Sequence, residues 1–204
     1  MKDVFTPIPP VPLCWIQTHT GRLFDLLAPT PEMVCVEDVA HALSQICRYT
    51  GHTRTHYSVA QHCVLASIVV ADELGRPDAA LAALLHDAAE AYVGDVSAPL
   101  KAAMRTVERC RGIYVPRTAY GEIEERVQAA VQRALGRPHA LEVDDVVKRA
   151  DLMLLAAEST VLLGPPPREW HLPEAPARIE IVPWPAEVAE RMFLEAYEKL
   201  RGQT

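Results

Sequence analysis

The sequence predicts an all-α protein on three observations. Apolar residues recur at helical spacing through the middle of the chain, alternating strand-like stretches are short and confined to its start, and prolines are segregated toward the two ends. Pro7, Pro9, Pro10, Pro12, Pro29 and Pro31 crowd the beginning, and Pro165, Pro166, Pro167, Pro173, Pro176, Pro183 and Pro185 crowd a late segment, leaving only four between. Proline removes an amide donor and clashes inside a helix, so this partition marks irregular ends around a helical middle.

Each element has its own signal. Leu13 to Thr18 and Arg22 to Leu26, hinged at Thr20-Gly21, read as a small hairpin. From Val36 to Arg48, apolar Val36, Val39, Ala40, Leu43 and Cys47 repeat at helical spacing, with Glu37 and Asp38 in a first turn where acidic groups suit the helix dipole. Ser58 is a favoured N-cap for a second helix running to about Leu74, with Gly75 as its stop. Pro77 opens a third, to Tyr92, so rich in Ala and Leu on all sides that it should be central. Pro99 to about Arg109, Tyr120 to Leu135 and Val143 to Leu163 follow, the last stopped by Gly164 and three prolines. A final helix, Ala186 to Arg201, follows Pro185.

The whole chain, 204 residues, is ample for one packed core and reads as a single domain. Half its residues are hydrophobic and 23% are charged, an ordinary globular composition that argues against disorder. No apolar run is long enough to span a bilayer, and the start, Met1-Lys2-Asp3-Val4, lacks a secretory pattern, so no membrane partner is expected. Cysteines at 14, 35, 47, 63 and 110 form no C-x-x-C pair and suit reduced thiols in a cytoplasmic protein, serving mostly as small core residues. A net charge of -7 disfavours a nucleic-acid polymer, whose binding requires many neutralised phosphates, but leaves room for a small phosphorylated substrate.

The chemistry-bearing residues stand out by their surroundings. His86-Asp87 follows the apolar run Ala80 to Leu85, and Asp151 stands in the largely apolar run Val146-Val147-Lys148-Arg149-Ala150-Asp151-Leu152-Met153-Leu154-Leu155. An ionised Asp in such a setting must be paired or bound to a metal. Glu90, four residues after His86 and three after Asp87, would share their helix flank. His62 lies on a largely apolar helix of its own. Two imidazoles and two carboxylates make a mixed N/O donor set for Mn, Fe, Co, Ni or Zn. Taken singly, each has a plainer reading: His62 as a hydrogen-bonded core residue, Asp87 as a packing ion pair, Asp151 as a partner of Arg48 or Arg149.

Taken together they resemble a family. The string His62, His86-Asp87, Asp151 in a helical chain resembles the H…HD…D signature of the HD-domain metal-dependent phosphohydrolase superfamily. The block from His86 through Glu90, Asp95 and Pro99 to Lys101 is similar to the HD-x-x-E-x-x-x-x-D-x-x-x-P-x-K block of bacterial 5′-deoxynucleotidases and phage dATP triphosphohydrolases. The stretches Ile46 to His52, Tyr57 to His62, Gly21 to Phe24 and Val36 to Ser44 resemble the same branch, so the similarity covers roughly 14 to 160. The proline-rich segment 164–185 and helix 186–201 would pack on that HD-type helical core.

The resemblance implies that His62, His86, Asp87 and Asp151 hold one divalent transition metal, with a second ion, Mg, arriving with the substrate phosphates. Glu90 and Asp95 match non-ligand carboxylates that handle protons, one toward water and one toward the leaving oxygen. Asp95 is also placed to cap the next helix. Arg48 and Lys101 match phosphate-contacting cations, for which plain surface solvation is the alternative. Tyr49 departs from the Trp usual after that Arg; it keeps a stacking surface but leaves base and sugar preference open. Trp15 is a second candidate for lining a base pocket, or else core. His52 and His56, four apart, would support a second metal or phosphates, or are loop histidines. The implied function is removal of phosphate from deoxynucleoside monophosphates by a homo-oligomer, with release of triphosphate from a dNTP as the alternative. A non-catalytic nucleotide sensor is a more remote one.

Overall fold

The structure is a computed structural model that describes residues 14–136 and 141–202. Leu13 and the prolines at 7, 9, 10 and 12, on which the reading of an irregular start partly rests, lie outside the described residues. The protein is all-α, with one two-stranded hairpin. In order come β1 (Trp15–Gln17), β2 (Leu23–Asp25), α1 (Val36–Gln45), α2 (Val59–Ile68), α3 (Ala80–Leu84), α4 (Glu90–Val93), α5 (Ala98–Cys110), α6 (Ala119–Leu135), α7 (Leu141–Leu162) and α8 (Ala186–Arg201). Among the described residues no helix is long and apolar enough to cross a membrane.

α2 and α3 form the central layer because they have almost nothing polar to expose. Every residue from Val59 to Ser67 and from Ala80 to Leu84 is buried. One side of this layer packs through Ala60, Cys63, Val64, Leu81 and Leu84 against α1, α6 and α8. The other packs through Leu65, Ala66, Ala82 and Ala83 against Val147, Ala150 and Leu154 of α7. Alanines at 82, 83 and 150 let the backbones approach closely, which brings the middles of α2, α3 and α7 to one place. The hairpin pairs Ile16 with Phe24 across a turn in which Gly21 adopts φ +83°, and buried Phe24 stacks on Tyr92 at 3.7 Å.

Three boundaries differ from the sequence reading, each for a local reason. The first helix stops at Gln45 rather than Arg48, because Ile46 and Arg48 pair in extended form with the chain before α2: Val59 N–H donates to Ile46 O at 3.0 Å and Arg48 N–H to Tyr57 O at 2.9 Å. The second helix, capped as expected by Ser58 accepting from Gln61 N–H, widens into a π-helical turn over Val69–Glu73 before Gly75 ends it. The helix expected from Pro77 to Tyr92 breaks between Leu84 and Glu90. Two side chains serve the broken backbone. His86 Nδ1 bonds Ala83 O at 2.7 Å, and the Gln128 amide, reaching in from α6, donates to Leu85 O at 2.9 Å and accepts from Ala89 N–H at 3.0 Å. Buried backbone groups must find partners, and here a glutamine provides what a continuous helix would have.

Candidate metal centre and its two chambers

The break between α3 and α4 turns His86 and Asp87 toward α2 and α7. There His62, from the middle of α2, and Asp151, from the middle of α7, meet them. His62 Nε2 lies 3.1 Å from Asp151 Oδ1 and 3.9 Å from Asp87 Oδ2, and His86 Nε2 lies 3.2 Å from Asp87 Oδ2. Ligand atoms of His62, His86 and Asp151 fall within 4.8 Å of one another and could hold a metal ion. Cys63, His86 and Asp87 form an overlapping group, but burial pushes the Cys63 thiol up, away from the thiolate a metal takes.

The hydrogen bonds behind the two imidazoles decide what they offer in front. A carbonyl oxygen can only accept, so Ala83 O fixes the proton of a neutral His86 on Nδ1. Glu158 Oε1, 2.7 Å from His62 Nδ1, does the same for His62. Both Nε2 atoms are buried and without a hydrogen-bond partner. Two bare lone pairs beside two carboxylates constitute a donor set for a divalent cation, each imidazole oriented from behind as in metal sites generally. Charge agrees. Burial works against protonating His62, as does Arg48, yet Glu158 and Asp151 draw its pKa upward; burial likewise opposes His86, and Asp87 overcomes it. The cluster is short of positive charge.

Glu158 is the functional residue the sequence reading missed. Fully buried on α7, it accepts from Tyr57 OH at 2.8 Å, Tyr49 OH at 3.0 Å and Arg48 Nε at 3.2 Å besides holding His62. Burial alone would raise its carboxyl, but Arg48, His62 and Tyr57 hold it down at about 2. The signal was present: Glu158 follows Leu154-Leu155-Ala156-Ala157 and stands seven residues after Asp151, on the same helix face. Arg48 sits between, 3.5 Å from Asp87 Oδ2, with Asp151 Oδ1 at 4.0 Å. It enters from a left-handed turn in which Tyr49 and Thr50 have φ of +56° and +54°. That conformation costs on the order of 1 kcal/mol per non-glycine residue and persists only where the surroundings impose it. Here the Tyr49–Glu158 bond does so.

Glu90 is buried, with Oε2 unpartnered, and burial together with Asp87 and Asp95 pushes its carboxyl up to about 10. Burial also raises Asp95, against the pull of Arg48. Ser97, not Asp95, occupies the N-cap of α5, so the capping alternative for Asp95 is not what the structure holds. Lys101 is paired with Glu124 at 2.7 Å and half-exposed beside the cluster. Asp151 approaches Arg48, whereas Arg149 turns away to Glu174 at 3.2 Å.

Two chambers open from this centre and share Asp87, Glu90 and Asp151. The first, about 710 Å³, carries Lys101, Arg105, Arg117 and Lys148 together with Glu124, Glu125 and Asp144. The second, about 600 Å³, takes Arg48, Tyr49 and Asp95 at the centre and continues over Leu155, Leu163 and Trp170. Trp15 lines neither; it is 43% exposed on the hairpin. His52 lines the second chamber, while His56, exposed, bonds Ser44 O at 3.0 Å. The structure therefore joins His62, His86, Asp87, Asp151, Arg48, Tyr49, Glu90, Asp95 and Lys101 and leaves Trp15 and His56 apart.

Fold and centre together define an all-α protein with a two-histidine, two-aspartate cluster, His62 buried and the others partly exposed, at the junction of two chambers. A scan of protein-family models finds no match. The chain is 32% identical over 191 residues to the uncharacterized protein YfdR of Escherichia coli (strain K12), covering 92% of this chain and 96% of that one, and it belongs to the same family. It is also 34% identical over 160 residues to the uncharacterized protein RCAP_rcc00048 of Rhodobacter capsulatus, 74% of each.

Proposed function

We propose that the protein is an HD-type, metal-dependent phosphohydrolase of small nucleotides that releases phosphate from deoxynucleoside 5′-monophosphates. The observation that carries this reading is the pair of bare, buried imidazole nitrogens facing two aspartates, with two further carboxyls and an arginine alongside. His62, His86, Asp87 and Asp151 would hold the cation, which supplies the positive charge that polarises a phosphate oxygen and acidifies water. Arg48, already among Asp87, Asp151 and Glu158, offers its guanidinium to the substrate phosphate. In-line displacement at phosphorus needs the attacking water and the leaving oxygen on opposite sides. Asp95 lines only the second chamber, so with the nucleoside there it stands on the side of the leaving 5′ oxygen and delivers the proton that oxygen needs. Glu90, at the junction of both chambers, takes up the water side. Glu158 acts through His62 and Arg48 and is a positioning residue.

One observation favours the triphosphate alternative as a second reading. The first chamber continues past the centre and brings Arg105 and Lys148 there besides the ion-paired Lys101 and Arg117, room that a single phosphate would not use. Product chromatography decides between them, with the protein incubated with Mn, Co, Zn or Mg and each dNMP and dNTP in turn. Phosphate from dNMPs supports the nucleotidase, and triphosphate from a dNTP the alternative. Activity that survives exhaustive chelation, or no product from any substrate, overturns both. Glu90→Gln should retain metal and slow turnover by a factor of about 100 or more; loss of metal with it would make Glu90 a ligand.

A further inference from the structure

The chain after α7 forms a strap, residues 164–185, whose placement on the core is held by a few specific bonds. Ala177 N–H donates to Met153 O at 3.0 Å, and Arg178 N–H to Glu73 at 3.0 Å. Gln61, buried on α2 beside His62, clamps the far end: its amide donates to Val182 O at 2.7 Å and accepts from Trp184 N–H at 2.8 Å. Upstream of these ties, one strap side chain, Trp170, stands at the wall of the second chamber.

We infer that Trp170 is the surface on which the planar base of the substrate stacks, so that the strap confers preference for a nucleotide over a bare sugar phosphate. The inference rests on the phosphohydrolase reading for the identity of the ligand, but its evidence is separate. The second chamber carries charge at the centre, with Arg48, Asp87, Asp95 and Asp151, and is apolar where it runs along α7. Leu155 lies one turn, about 6 Å, beyond Asp151, and Leu163 follows just past the end of the helix. A ligand matching that gradient has an anionic head and a flat, apolar body.

Of the three tryptophans, Trp15 is on the hairpin away from the chamber and Trp184 is packed against the core, its backbone bonded to Gln61. Trp170 alone lines the chamber, and it is 42% exposed. Tryptophan is normally well buried, and covering its exposed ring gains free energy from both apolar burial and stacking. Tyr49, the aromatic beside Arg48, is less free to serve. Its hydroxyl is committed to Glu158, and the Arg48 guanidinium stands 5.6 Å from its ring centroid.

The test has a binding arm and a kinetic arm. Intrinsic tryptophan emission of the full-length protein is titrated with each dNMP and dNTP and with 2-deoxyribose 5-phosphate, which lacks a base. A saturable quench by nucleotides, absent with the sugar phosphate and lost in Trp170→Phe, is the expected result. No saturable quench by any nucleotide, or an undiminished one in Trp170→Phe, overturns the inference. In turnover, Trp170→Ala should raise KM for the preferred nucleotide about 10-fold, the order of one base stack. Its kcat/KM for 2-deoxyribose 5-phosphate, which has no ring to stack, should stay within about twofold of wild type. An unchanged KM sinks the role of Trp170 and leaves the hydrolase reading intact. A Trp170-dependent quench without turnover of any substrate does the opposite.

Discussion

The helical wall that carries the cluster and the strap that crosses beside it are built in contrasting ways. α2 and α3 bury essentially every side chain, and α7 lays Val147, Ala150 and Leu154 against them. Along the strap only Ala177 and Ile181 are buried, and its position depends on a handful of hydrogen bonds. The contrast separates two tasks. On the proposed function, ligand atoms that must converge within a few ångströms would be mounted on closely packed helices and on the break between two of them, while the part of the pocket that meets the variable portion of a substrate would be carried by a loop segment that can change without disturbing the centre.

If that division holds, damage to the wall should be catastrophic and damage to the strap graded. Asp151→Ala is the severest case. It removes one carboxylate from a cluster already short of positive charge only because of its carboxylates, and both metal content and turnover should fall to background. Metal analysis of the purified variant alongside product chromatography checks it; full activity with no bound metal would refute the site.

Glu158→Ala comes next and should act chiefly on stability. It strands the buried Tyr57 hydroxyl and the Nδ1–H of His62 and takes one partner each from Tyr49 and Arg48, the latter keeping Asp87. Removing one partner from a buried charged network costs about 3–5 kcal/mol, which for a chain of this length lowers the melting temperature by about 10 °C. Metal affinity should drop about 10- to 100-fold as His62 loses its orientation. Glu158→Gln retains acceptor and shape and should lie between the variant and wild type in both melting and metal titrations. A melting temperature unchanged in Glu158→Ala would mean the network is held elsewhere.

How much of this the sequence disclosed follows from the range of the forces involved. α8 runs from Ala186 to Arg201 as read, and α6 and α7 start within one or two residues of their expected positions. Their ends are set locally, by Pro185, by Thr118 capping Gly121 and by the Gly and Pro residues that follow. His62, His86, Asp87 and Asp151 were legible because a polar group among apolar neighbours needs a partner. The same argument applied to Glu158 would have found it. What could not be read depends on residues remote in the chain. Gln128 makes the α3–α4 break tolerable from 39 residues beyond Ala89. The prolines of the strap forbid a helix but do not say where the segment lies, so of the two aromatics named from the sequence Tyr49 lines the second chamber and Trp15 does not, while Trp170, which also lines it, was not foreseen.

Two substitutions compare the means by which the strap is held. Gln61→Ala deletes the clamp and leaves Val182 O and Trp184 N–H without partners on the protein, a loss of about 2 kcal/mol, or about 5 °C in melting temperature. Proteolysis within 164–185 should accelerate in the same variant, because the segment loses its anchor to the wall. Arg149→Ala removes the ion pair to Glu174, in which the arginine side chain is 58% exposed. Exposed pairs are screened and entropically costly, so its effect should stay below about 0.5 kcal/mol and its melting temperature within about 2 °C of wild type. A larger shift in Arg149→Ala than in Gln61→Ala would reverse the argument, because it would mean that surface charge and not backbone hydrogen bonding to α2 positions the strap, and with it Trp170.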